Sequence, residues 1–519
     1  MSFTNTVKHG FDLKNDKPIF TKSYRYPHVH KEEVAKQINK MLLEGIIRPS
    51  YSPWSSPIWI VPKKNDASGK QKWRLVVDYR KLNEQTINDR YPLPNITEIL
   101  DKLGKCMYFT TLDLASGFHQ IEVNPKDIEK TAFTVDFGHY EYVRMPFGLK
   151  NAPSTFQRVM DNVLQDLQGK ICLCYMDDII IFSTSLQEHM QSLSKVFERL
   201  RRSNLKVQLD KSEFLHKEIG FLGHIVSNDG VKPNPDKIRA VQDFPIPQTE
   251  KQIKSFLGLI GYYRKFIKNF ADLTKPLTEC LRKGKKIVLI YVNSFNKCKE
   301  ILCNNSILQY PDFNNDFILT TDASNYAIGA VLSQGIIGQD KPICYASRTL
   351  TQTEQNYRTI EKELLAIVWS CKYFRPYLFG RRFKIVTDHK PLTWLFNLKE
   401  PNSKLVRWRL KLEEYDYEIS YKKGTLNSNA DALSRIEPNI DVNISSVSSS
   451  YNGPFLLSLT DNQSNIIPTT DTHLNEFKTQ FIFKPNPNTI GDWNQKSYFP
   501  PKNVIYLRQN DSLNKYYKT

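Results

Sequence analysis

The sequence predicts a multidomain protein that combines an α+β part with a later α/β domain. With 519 residues, the chain is several times longer than a usual domain. Up to about residue 305, short apolar strands and hairpins alternate with amphipathic helices. Near residue 310 the pattern starts again with two strands in FILTTDASNYAIGAVLSQ, a long helix from about Asn356 to Leu378, and the strand FKIVTDHK. That order of elements is typical of an α/β domain.

Local patterns predict the elements of the first part. KEEVAKQINKMLLEGIIRPS places Val34, Ile38, Met41 and Leu42 at helical spacing, which predicts an amphipathic helix ending near Gly45. SPWSSPIWIVPKKNDASGKQKWRLVVDYRKLN predicts two strands around a strongly basic, polar tip. MYFTTLDLASGF predicts a buried strand, FTVDFGHYEYVRMPFGL further sheet, and NAPSTFQRVMDNVLQDL a helix.

The segments after the acidic pair of CYMDDIIIFS continue the alternation. SLQEHMQSLSKVFERLRRSN predicts a helix, and the Asn-Asp-Gly turn in FLGHIVSNDGVKPNP predicts a hairpin. KQIKSFLGLIGYYRKFIKNF carries apolar residues near helical spacing from Ile253 to Ile267, with basic residues between them. We expect a surface helix there that packs on the protein and faces a polyanion.

Composition favours a nucleic-acid partner and excludes two classes of protein. The chain has 72 Lys and Arg against 54 Asp and Glu, a formal charge of +18. Its eight cysteines show no CxxC pair or zinc-knuckle spacing, so reduced thiols in a reducing compartment are expected. No stretch reaches the roughly 18 uninterrupted apolar residues of a membrane span. The sequence therefore predicts neither a disulfide scaffold nor a membrane protein.

A first group of carboxylates lies in the predicted sheet of the first part. Asp113 is in a buried-strand pattern, and Asp177 and Asp178 lie between two apolar runs, which predict rigid strands on both sides and buried carboxylates. Neighbours in a continuous strand point to opposite faces, so Asp177 and Asp178 face one metal pair only if they lie at or near a hairpin tip. The alternative is an ordinary turn, in which Asp is common.

A second group of acids lies in the predicted α/β domain. Asp322 is on its first strand, Asp388 ends FKIVTD, and Asp431 follows in NADALSR. In the long helix, Glu361 and Glu363 both border the apolar stripe, so periodicity leaves both open. Taken singly, each acid is more often a helix cap or a surface charge than a metal ligand.

Ordered motifs from about residue 20 to residue 435 resemble a known family. They are EEVAKQINKMLLEGIIRPSYSPWSSPIWIVPKK, RLVVDYRKLN, YPLPNI, LDLASGFHQI, KTAF, YEYVRMPFGLKNAPSTFQ, YMDD, FLGHIV, TDAS, EKELLAI, TDHKPL and NADALSR. In this order they resemble the Pol region of gypsy-type LTR retrotransposons, a reverse transcriptase followed by a ribonuclease H. The resemblance implies a right-hand polymerase with fingers, palm and thumb, followed by an RNase H-like α/β domain.

The resemblance also implies roles for individual residues of the polymerase. Asp113 and Asp177 would hold both divalent ions, and Asp178 would complete the metal site. Lys63 and Arg74 would contact the incoming triphosphate, as a point charge and a planar fork respectively. Phe118 would exclude a ribose 2′-hydroxyl. Phe147 departs from the retroviral relatives, which carry Gln at its position, so contacts made there by a side-chain amide do not carry over.

For the nuclease, the ELLAI signature selects Glu363. Its partners would be Asp322, Asp388 and Asp431, whereas His389 receives no role as a base. The implied cofactor is Mg²⁺ or Mn²⁺, with two ions per active site, because hard cations prefer carboxylate oxygens.

The implied domains and partners complete the prediction. The expected domains are an N-terminal extension at 1–30, fingers and palm at 31–215, thumb and connection at 216–305, an RNase H-like domain at 306–436 and a disordered tail at 437–519. The expected partners are an RNA template, a DNA primer, RNA–DNA hybrid and deoxynucleoside triphosphates, with no membrane. The oligomeric state stays open. The expected location is the cytoplasm, including virus-like particles, with a DNA product destined for the nucleus.

Three hypotheses follow for the chain as a whole. It is an active polymerase joined to a ribonuclease H, a non-catalytic nucleic-acid-binding relic, or a polymerase released by proteolysis from a larger precursor. The sequence shows no Asp-Ser/Thr-Gly protease signature, and no HHCC zinc pattern of an integrase after Arg435. We therefore expect a fragment of a polyprotein or, slightly favoured, a shortened copy whose tail replaced the integrase.

Overall fold

The computed structural model describes residues 3–62, 72–281, 291–304, 307–389 and 403–422. Lys63, Asp431 and the predicted tail 437–519 lie outside these ranges. Among the described helices, none is long and apolar enough to cross a membrane.

The first part of the chain contains eleven strands and five helices within the described ranges. They are β1 (Thr4–His9), α1 (Lys31–Leu43), β2 (Ile47–Pro49), β3 (Ile58–Pro62), β4 (Trp73–Val77), α2 (Arg80–Gln85), α3 (Ile96–Asp101), β5 (Tyr108–Leu114), β6 (Ile121–Val123), β7 (Phe133–Val135), β8 (Gly138–Tyr142), α4 (Ala152–Leu164), β9 (Cys172–Tyr175), β10 (Asp178–Ser183), α5 (Leu186–Arg202) and β11 (Val207–His216).

The sheet that matters for function has the strand order β11-β5-β10-β9. Its strands run antiparallel to their neighbours, and helix α5 packs on β10. All four residues from Ile179 to Phe182 on β10 are buried, so both faces of this strand are covered. The apolar runs beside the acidic pair are therefore a rigid support, as the sequence predicted.

The predicted N-terminal extension is partly built into this first part. Strand β1 pairs in parallel with β6, and His9 at its end is fully buried. The His9 Nδ1 atom is hydrogen-bonded to the hydroxyl of Thr155 on α4 at 2.8 Å. Polar composition hid this strand, because its buried polar side chains find partners across the fold.

The middle part contains a three-stranded sheet and four helices within the described ranges. They are β12 (Glu218–Phe221), β13 (His224–Ser227), β14 (Gly230–Pro233), α6 (Pro235–Gln242), α7 (Glu250–Gly261), α8 (Phe270–Glu279) and α9 (Tyr291–Cys303). The predicted Asn-Asp-Gly hairpin is present as β13 and β14. The predicted helix is shorter than expected, since it ends at Gly261 and a 3-10 turn at Arg264–Phe266 follows.

The last part contains a five-stranded sheet with the order β17-β16-β15-β18-β19. Its elements are β15 (Phe317–Ala323), β16 (Ala327–Gln334), β17 (Lys341–Thr349), α10 (Gln352–Gln355), α11 (Thr359–Tyr373), α12 (Arg375–Leu378), β18 (Arg382–Thr387), α13 (Ser403–Leu412) and β19 (Asp416–Tyr421). Strands β15, β16 and β17 are antiparallel, whereas β18 lies parallel to both β15 and β19.

The single long helix predicted from Asn356 to Leu378 is wrong in its bounds. Helix α11 begins at Thr359 and ends at Tyr373, and the short α12 starts after Phe374. Pro376 lies in the first turn of α12, where its missing N–H costs little, but it cannot continue a preceding helix. Helix α11 packs on β15 and β16, which gives the predicted α/β layering.

Candidate active sites

Asp113, Asp177 and Asp178 come together at the tip of a hairpin. Asp178, the first residue of β10, lies directly opposite Asp113 on β5. Asp177 belongs to the two-residue turn between β9 and β10. The hairpin tip is as predicted, but the expected burial of the carboxylates is wrong. Asp177 is half-buried and Asp178 is exposed, because the tip projects beyond the buried strands.

Gln157 fixes the backbone of this turn. Met176, the other residue of the turn, has a φ of +54°, a left-handed conformation that is costly for a residue with a side chain. Its N–H donates to Gln157 Oε1 at 2.8 Å, and its carbonyl accepts from Cys174 Sγ at 3.0 Å. The Gln157 amide also donates to Asp161 on the same helix. The turn is thus held by the fully buried Gln157, which sequence reasoning did not single out.

The three carboxylates interact electrostatically. Partial desolvation, together with the charges of Asp177 and Asp113, raises the pKa of Asp178 to about 6. Desolvation also raises the pKa of Asp113, and the Lys211 ammonium, 3.5 Å from Asp113 Oδ2, opposes that rise. Lys211 lies on β11, and its neighbour Ser212 accepts the Asp113 N–H at 3.2 Å. Neither residue was predicted, because only sheet pairing brings them to the site.

Phe118 lies beside this cluster in an aromatic group. A Cβ on Gly117 would be only 3.6 Å from the Asp177 Cβ, so this turn passes directly by the acidic tip. The Phe118 ring centroid is 5.3 Å from that of Phe156 and 4.9 Å from that of Phe147, whose side chain is 46% exposed. The rings of Phe147 and Phe156 therefore pack against Phe118, the side chain that we expect to contact the sugar.

Of the two predicted triphosphate contacts, Arg74 lies within the described residues and Lys63 does not. Arg74 lies on β4, is exposed, and stands opposite Val61 in the β3–β4 hairpin. Lys63 follows Pro62 in the sequence and lies outside the described residues. Both assignments stay predictions.

Asp322, Glu363 and Asp388 meet at one edge of the second sheet. Thr320 and Val386 are level in the parallel pair of β15 and β18, and Asp322 and Asp388 each follow two residues later. The Glu363 side chain reaches them from α11 and is only 4% exposed. Carboxyl ends of parallel strands share one edge of a sheet, which explains the convergence of Asp322 and Asp388. Asp431 lies outside the described residues.

The two glutamates that periodicity left open lie in different surroundings. Glu361 Oε2 accepts the Arg358 N–H at 3.0 Å, and its Oε1 is 3.2 Å from the ammonium of Lys404 on α13. It caps the helix and joins two helices. Glu363 instead faces Asp322 and Asp388, whose charges, after desolvation, raise its pKa well above the ordinary range. The choice of Glu363 made from the family signature agrees with this placement.

The electrostatics of this cluster fit a divalent cation. Desolvation and the charge of Asp388 raise the pKa of Asp322 to about 6. Glu363 Oε2 is buried and has no hydrogen-bond partner, an arrangement that costs free energy unless a cation or donor is supplied. The backbone N–H of His389 donates to Thr387 Oγ1 at 3.1 Å. This contact gives the imidazole of His389 no catalytic role.

Neither cluster is a complete cation site by itself. Among the described residues, no three His, Cys, Asp or Glu side chains are arranged as a group that could hold a metal ion. Mg²⁺ binds through one or two carboxylates together with substrate phosphates and water. The observed carboxylates fit that pattern, in which nucleic acid supplies the remaining oxygens.

Comparison with known proteins identifies the two parts. Residues 61–226 match the family "Reverse transcriptase (RNA-dependent DNA polymerase)", and residues 312–415 match "RNase H-like domain found in reverse transcriptase". The retrovirus-related Pol polyprotein of transposon 297 from Drosophila melanogaster is 56% identical over 494 residues, covering 94% of this chain. The corresponding polyprotein of transposon gypsy from the same species is 42% identical over 501 residues.

Over most of its length the chain is similar to the Pol polyproteins of gypsy-type retrotransposons, and it contains a reverse transcriptase domain and an RNase H-like domain. It covers 46% of the transposon 297 polyprotein and 47% of the gypsy polyprotein, so this chain spans about half the length of these relatives. The match to transposon 297 covers 94% of the chain, and residues 1–436 make up less than that share. The similarity therefore extends into residues 437–519. The tail of this chain is therefore not foreign to the family, contrary to the slightly favoured expectation of a replacement.

Solved structures confirm the predicted fold class for this chain. The foamy viral protease-reverse transcriptase dRH in complex with double-stranded DNA has a TM-score of 0.72 and 25% identity, and the match covers 81% of this chain and 74% of that one. The same viral protein in complex with RNA/DNA hybrid has a TM-score of 0.67 and 23% identity, covering 90% and 60%. The fold is a polymerase followed by an RNase H-like domain.

Proposed function

We propose that this chain is an RNA-directed DNA polymerase with a separate ribonuclease H activity. The observation that carries the proposal is the presence of two carboxylate clusters on two different sheets. Asp113, Asp177 and Asp178 belong to the first, and Asp322, Glu363 and Asp388 to the second. The two matched families support the same assignment. The polymerase would copy an RNA template from a DNA primer, and the nuclease would cleave the RNA of the resulting hybrid.

In the polymerase site, Asp113, Asp177 and Asp178 would hold two Mg²⁺ or Mn²⁺ ions. When bound, such ions activate the primer hydroxyl and stabilise the charge that develops at the transferred phosphate. The protein contributes position: Gln157 and the strained turn fix the carboxylates, and strand β5 fixes Asp113. Lys63 and Arg74 would bind the triphosphate, and the Phe118 ring would leave no room for a 2′-hydroxyl.

In the nuclease site, Asp322, Glu363, Asp388 and Asp431 would hold the same kind of ions. Glu363 presents a buried carboxylate oxygen towards this cluster, and the low-dielectric surroundings strengthen its attraction for a cation. The chain's positive charge of +18 supports a polyanionic partner. As the place of action we propose the cytoplasm, within virus-like particles, with the DNA product passing to the nucleus.

Two substitutions test this proposal on the intact chain. We expect Asp177→Asn to lower primer extension on an RNA template by on the order of 1000-fold, because a metal-binding charge is lost, and to leave hybrid cleavage intact. We expect Asp322→Asn to do the opposite. Asp243→Asn, at an exposed carboxylate after α6, is the matched control and should change neither activity.

Three outcomes would contradict the proposal. If the intact chain extends no primer with Mg²⁺ or Mn²⁺, the non-catalytic relic is the better account. If it cleaves no hybrid, the nuclease assignment fails. If either substitution removes both activities while the protein stays folded, the two clusters do not form separate sites.

A further inference from the structure

Helix α8 reaches the nuclease site from the polymerase side. Asp322, Gly329 and Ser347 lie in one row across strands β15, β16 and β17, each directly opposite the next. Residues opposite each other in antiparallel strands share a face of the sheet. The N-terminal turn of α8 lies on this row: the Ala271 N–H donates to Ser347 Oγ at 2.9 Å.

Gly329 marks how closely α8 approaches this row. A Cβ added at Gly329 would be 2.6 Å from Asn269 Oδ1, closer than two such atoms can stand. Asn269 itself has a φ of +51° and immediately precedes α8. Gly329, which lies opposite Asp322 on the neighbouring strand, therefore has no side chain at the point where α8 packs on the sheet.

Asp272 on α8 is bonded to the turn that follows Asp322. The Ser324 hydroxyl donates to the Asp272 carboxylate, with Oγ–Oδ distances of 3.1 and 3.3 Å. The same hydroxyl accepts the Ala327 N–H at 2.9 Å and the Tyr326 N–H at 3.2 Å. One hydroxyl thus closes the β15–β16 turn and ties it to α8.

A second contact from α8 covers the same turn. The Lys275 ammonium lies 2.9 Å from the centroid of the Tyr326 ring, a cation–π contact one helical turn after Asp272. From the opposite side, the Lys362 ammonium is 3.1 Å from Asn325 Oδ1, and Lys362 directly precedes Glu363 on α11. The turn between β15 and β16 is therefore held between α8 and α11.

Helix α8 belongs to the part of the chain that precedes the nuclease domain. It packs against α7 and α9, and its Leu277 is fully buried in the apolar core that also contains Phe256 and Phe295. The same core extends to Phe109 and Ile180 on the strands of the polymerase sheet. A helix that packs in the polymerase core therefore contacts the turn that directly follows the strand carrying Asp322.

We propose that Asp272 is a positioning residue for the nuclease site, which through Ser324 holds the end of β15 that carries Asp322. This inference rests on the proposed nuclease function and assigns part of its geometry to a helix outside the RNase H-like domain. It explains why the hydroxyl at Ser324 and the missing side chain at Gly329 occur beside Asp322.

The role is one of geometry more than of charge. Two charged groups from this side act on Asp322: the Asp272 carboxylate raises its pKa and the Lys268 ammonium lowers it, so they oppose each other. The hydrogen bond from Ser324 is not opposed by another charge, and the Ala327 carbonyl oxygen, 3.1 Å from the same hydroxyl, is the alternative acceptor of its proton. Asn at position 272 keeps an acceptor for Ser324 and loses the charge, whereas Ala loses both. That difference separates the two roles.

Three variants of the intact chain test the proposal: Asp272→Ala, Asp272→Asn and Ser324→Ala. We expect Asp272→Ala and Ser324→Ala each to lower kcat for hybrid cleavage about tenfold, because small displacements of a catalytic group are costly. Asp272→Asn should stay within about threefold of the intact chain, since the hydrogen bond persists. The double variant Asp272→Ala/Ser324→Ala should be no worse than Ser324→Ala alone, since that substitution already removes the hydrogen bond to Asp272. Primer extension should not change.

Hydrogen exchange supplies a readout that does not depend on activity. We expect the backbone amides of residues 322–327 to exchange faster in Asp272→Ala and in Ser324→Ala than in the intact chain or in Asp272→Asn. Asp243→Asn, at an exposed carboxylate outside this helix, is the matched control. It should leave both exchange and cleavage unchanged.

The results that overturn the inference differ from those that overturn the nuclease itself. Absence of hybrid cleavage by the intact chain would sink the proposed nuclease function. Cleavage that Asp322→Asn abolishes, but that Asp272→Ala and Ser324→Ala leave at the intact level, would sink the role of Asp272 alone. If Asp272→Ala unfolds, Ser324→Ala still tests the inference, because cleavage at the intact level in that variant would overturn it. Asp272→Asn as damaging as Asp272→Ala would show that charge, not position, is at stake.

Discussion

The two carboxylate clusters use the same chemical groups but are supported in different ways. In the polymerase site the acids stand at an open hairpin tip, where Asp178 is exposed and the turn backbone is held by Gln157. In the nuclease site Glu363 is buried on a helix, and Asp322 and Asp388 end two parallel strands. Backbone geometry fixes the first cluster, and packing of a helix on a sheet fixes the second. Substitutions of the supporting residues should therefore act differently at the two sites.

The largest contrast is expected between the two glutamates of α11. Glu363→Gln should lower hybrid cleavage by on the order of 1000-fold, because it removes a buried charge aimed at the cation site. Glu361→Gln should change cleavage by less than about threefold. Glu361 caps the helix at the Arg358 N–H and pairs with Lys404, so its substitution affects stability and not the cation site. Cleavage assays of both variants side by side check this. Equal losses would mean that the structure has assigned the wrong glutamate.

A smaller effect is expected from the residue that supports the polymerase turn. Gln157→Leu should lower primer extension by about 10–100-fold, because partners that hold metal-binding groups contribute that much. Hybrid cleavage should not change, since the hydrogen bonds of Gln157 lie around the turn of the first cluster. Gln165→Ala, at an exposed position just after the same helix, is the matched control for extension rates. Full activity of Gln157→Leu would show that the turn keeps its shape without this hydrogen bond.

Glu361, Glu363 and Gln157 also show how much of the two sites can be predicted from the sequence. Periodicity predicted α11 but could not separate Glu361 from Glu363, because both border one stripe and only the packing of α11 on β15 distinguishes them. The hairpin around Asp177 was predictable from its apolar flanks and short turn. Gln157, Lys211 and Asp272 were not, because each acts on a group that is distant in the chain, and single-sequence patterns record only local spacing.

The smallest expected effect concerns stability rather than activity. The pKa of Asp322 is raised from 3.8 to about 6 in the folded chain, so its charged form is disfavoured by folding. This destabilisation is present above about pH 6 and fades as pH falls towards 4, because the folded state binds the proton more tightly than the unfolded state. In metal-free buffer at pH 7.5, Asp322→Asn should raise the melting temperature of the nuclease part by about 3 °C.

Calorimetry at two pH values checks this stability prediction. The gain from Asp322→Asn should shrink when the pH is lowered to 4.5, while Asp243→Asn should give no gain at either pH. A melting temperature that falls in Asp322→Asn at pH 7.5 would show that the carboxylate is stabilising in the folded chain, against the charge repulsion inferred from Asp388 and Glu363.

The central claim is that two independent cation sites share one chain. The most direct measurement is a Mn²⁺ titration followed by electron paramagnetic resonance, on the intact chain bound to a hybrid whose RNA strand carries 2′-O-methyl groups and resists cleavage. We expect Asp177→Asn and Asp322→Asn each to remove a different part of the bound Mn²⁺, and the double variant to lose both parts. Loss of all bound Mn²⁺ from either single substitution, or loss from neither, would contradict two separate sites.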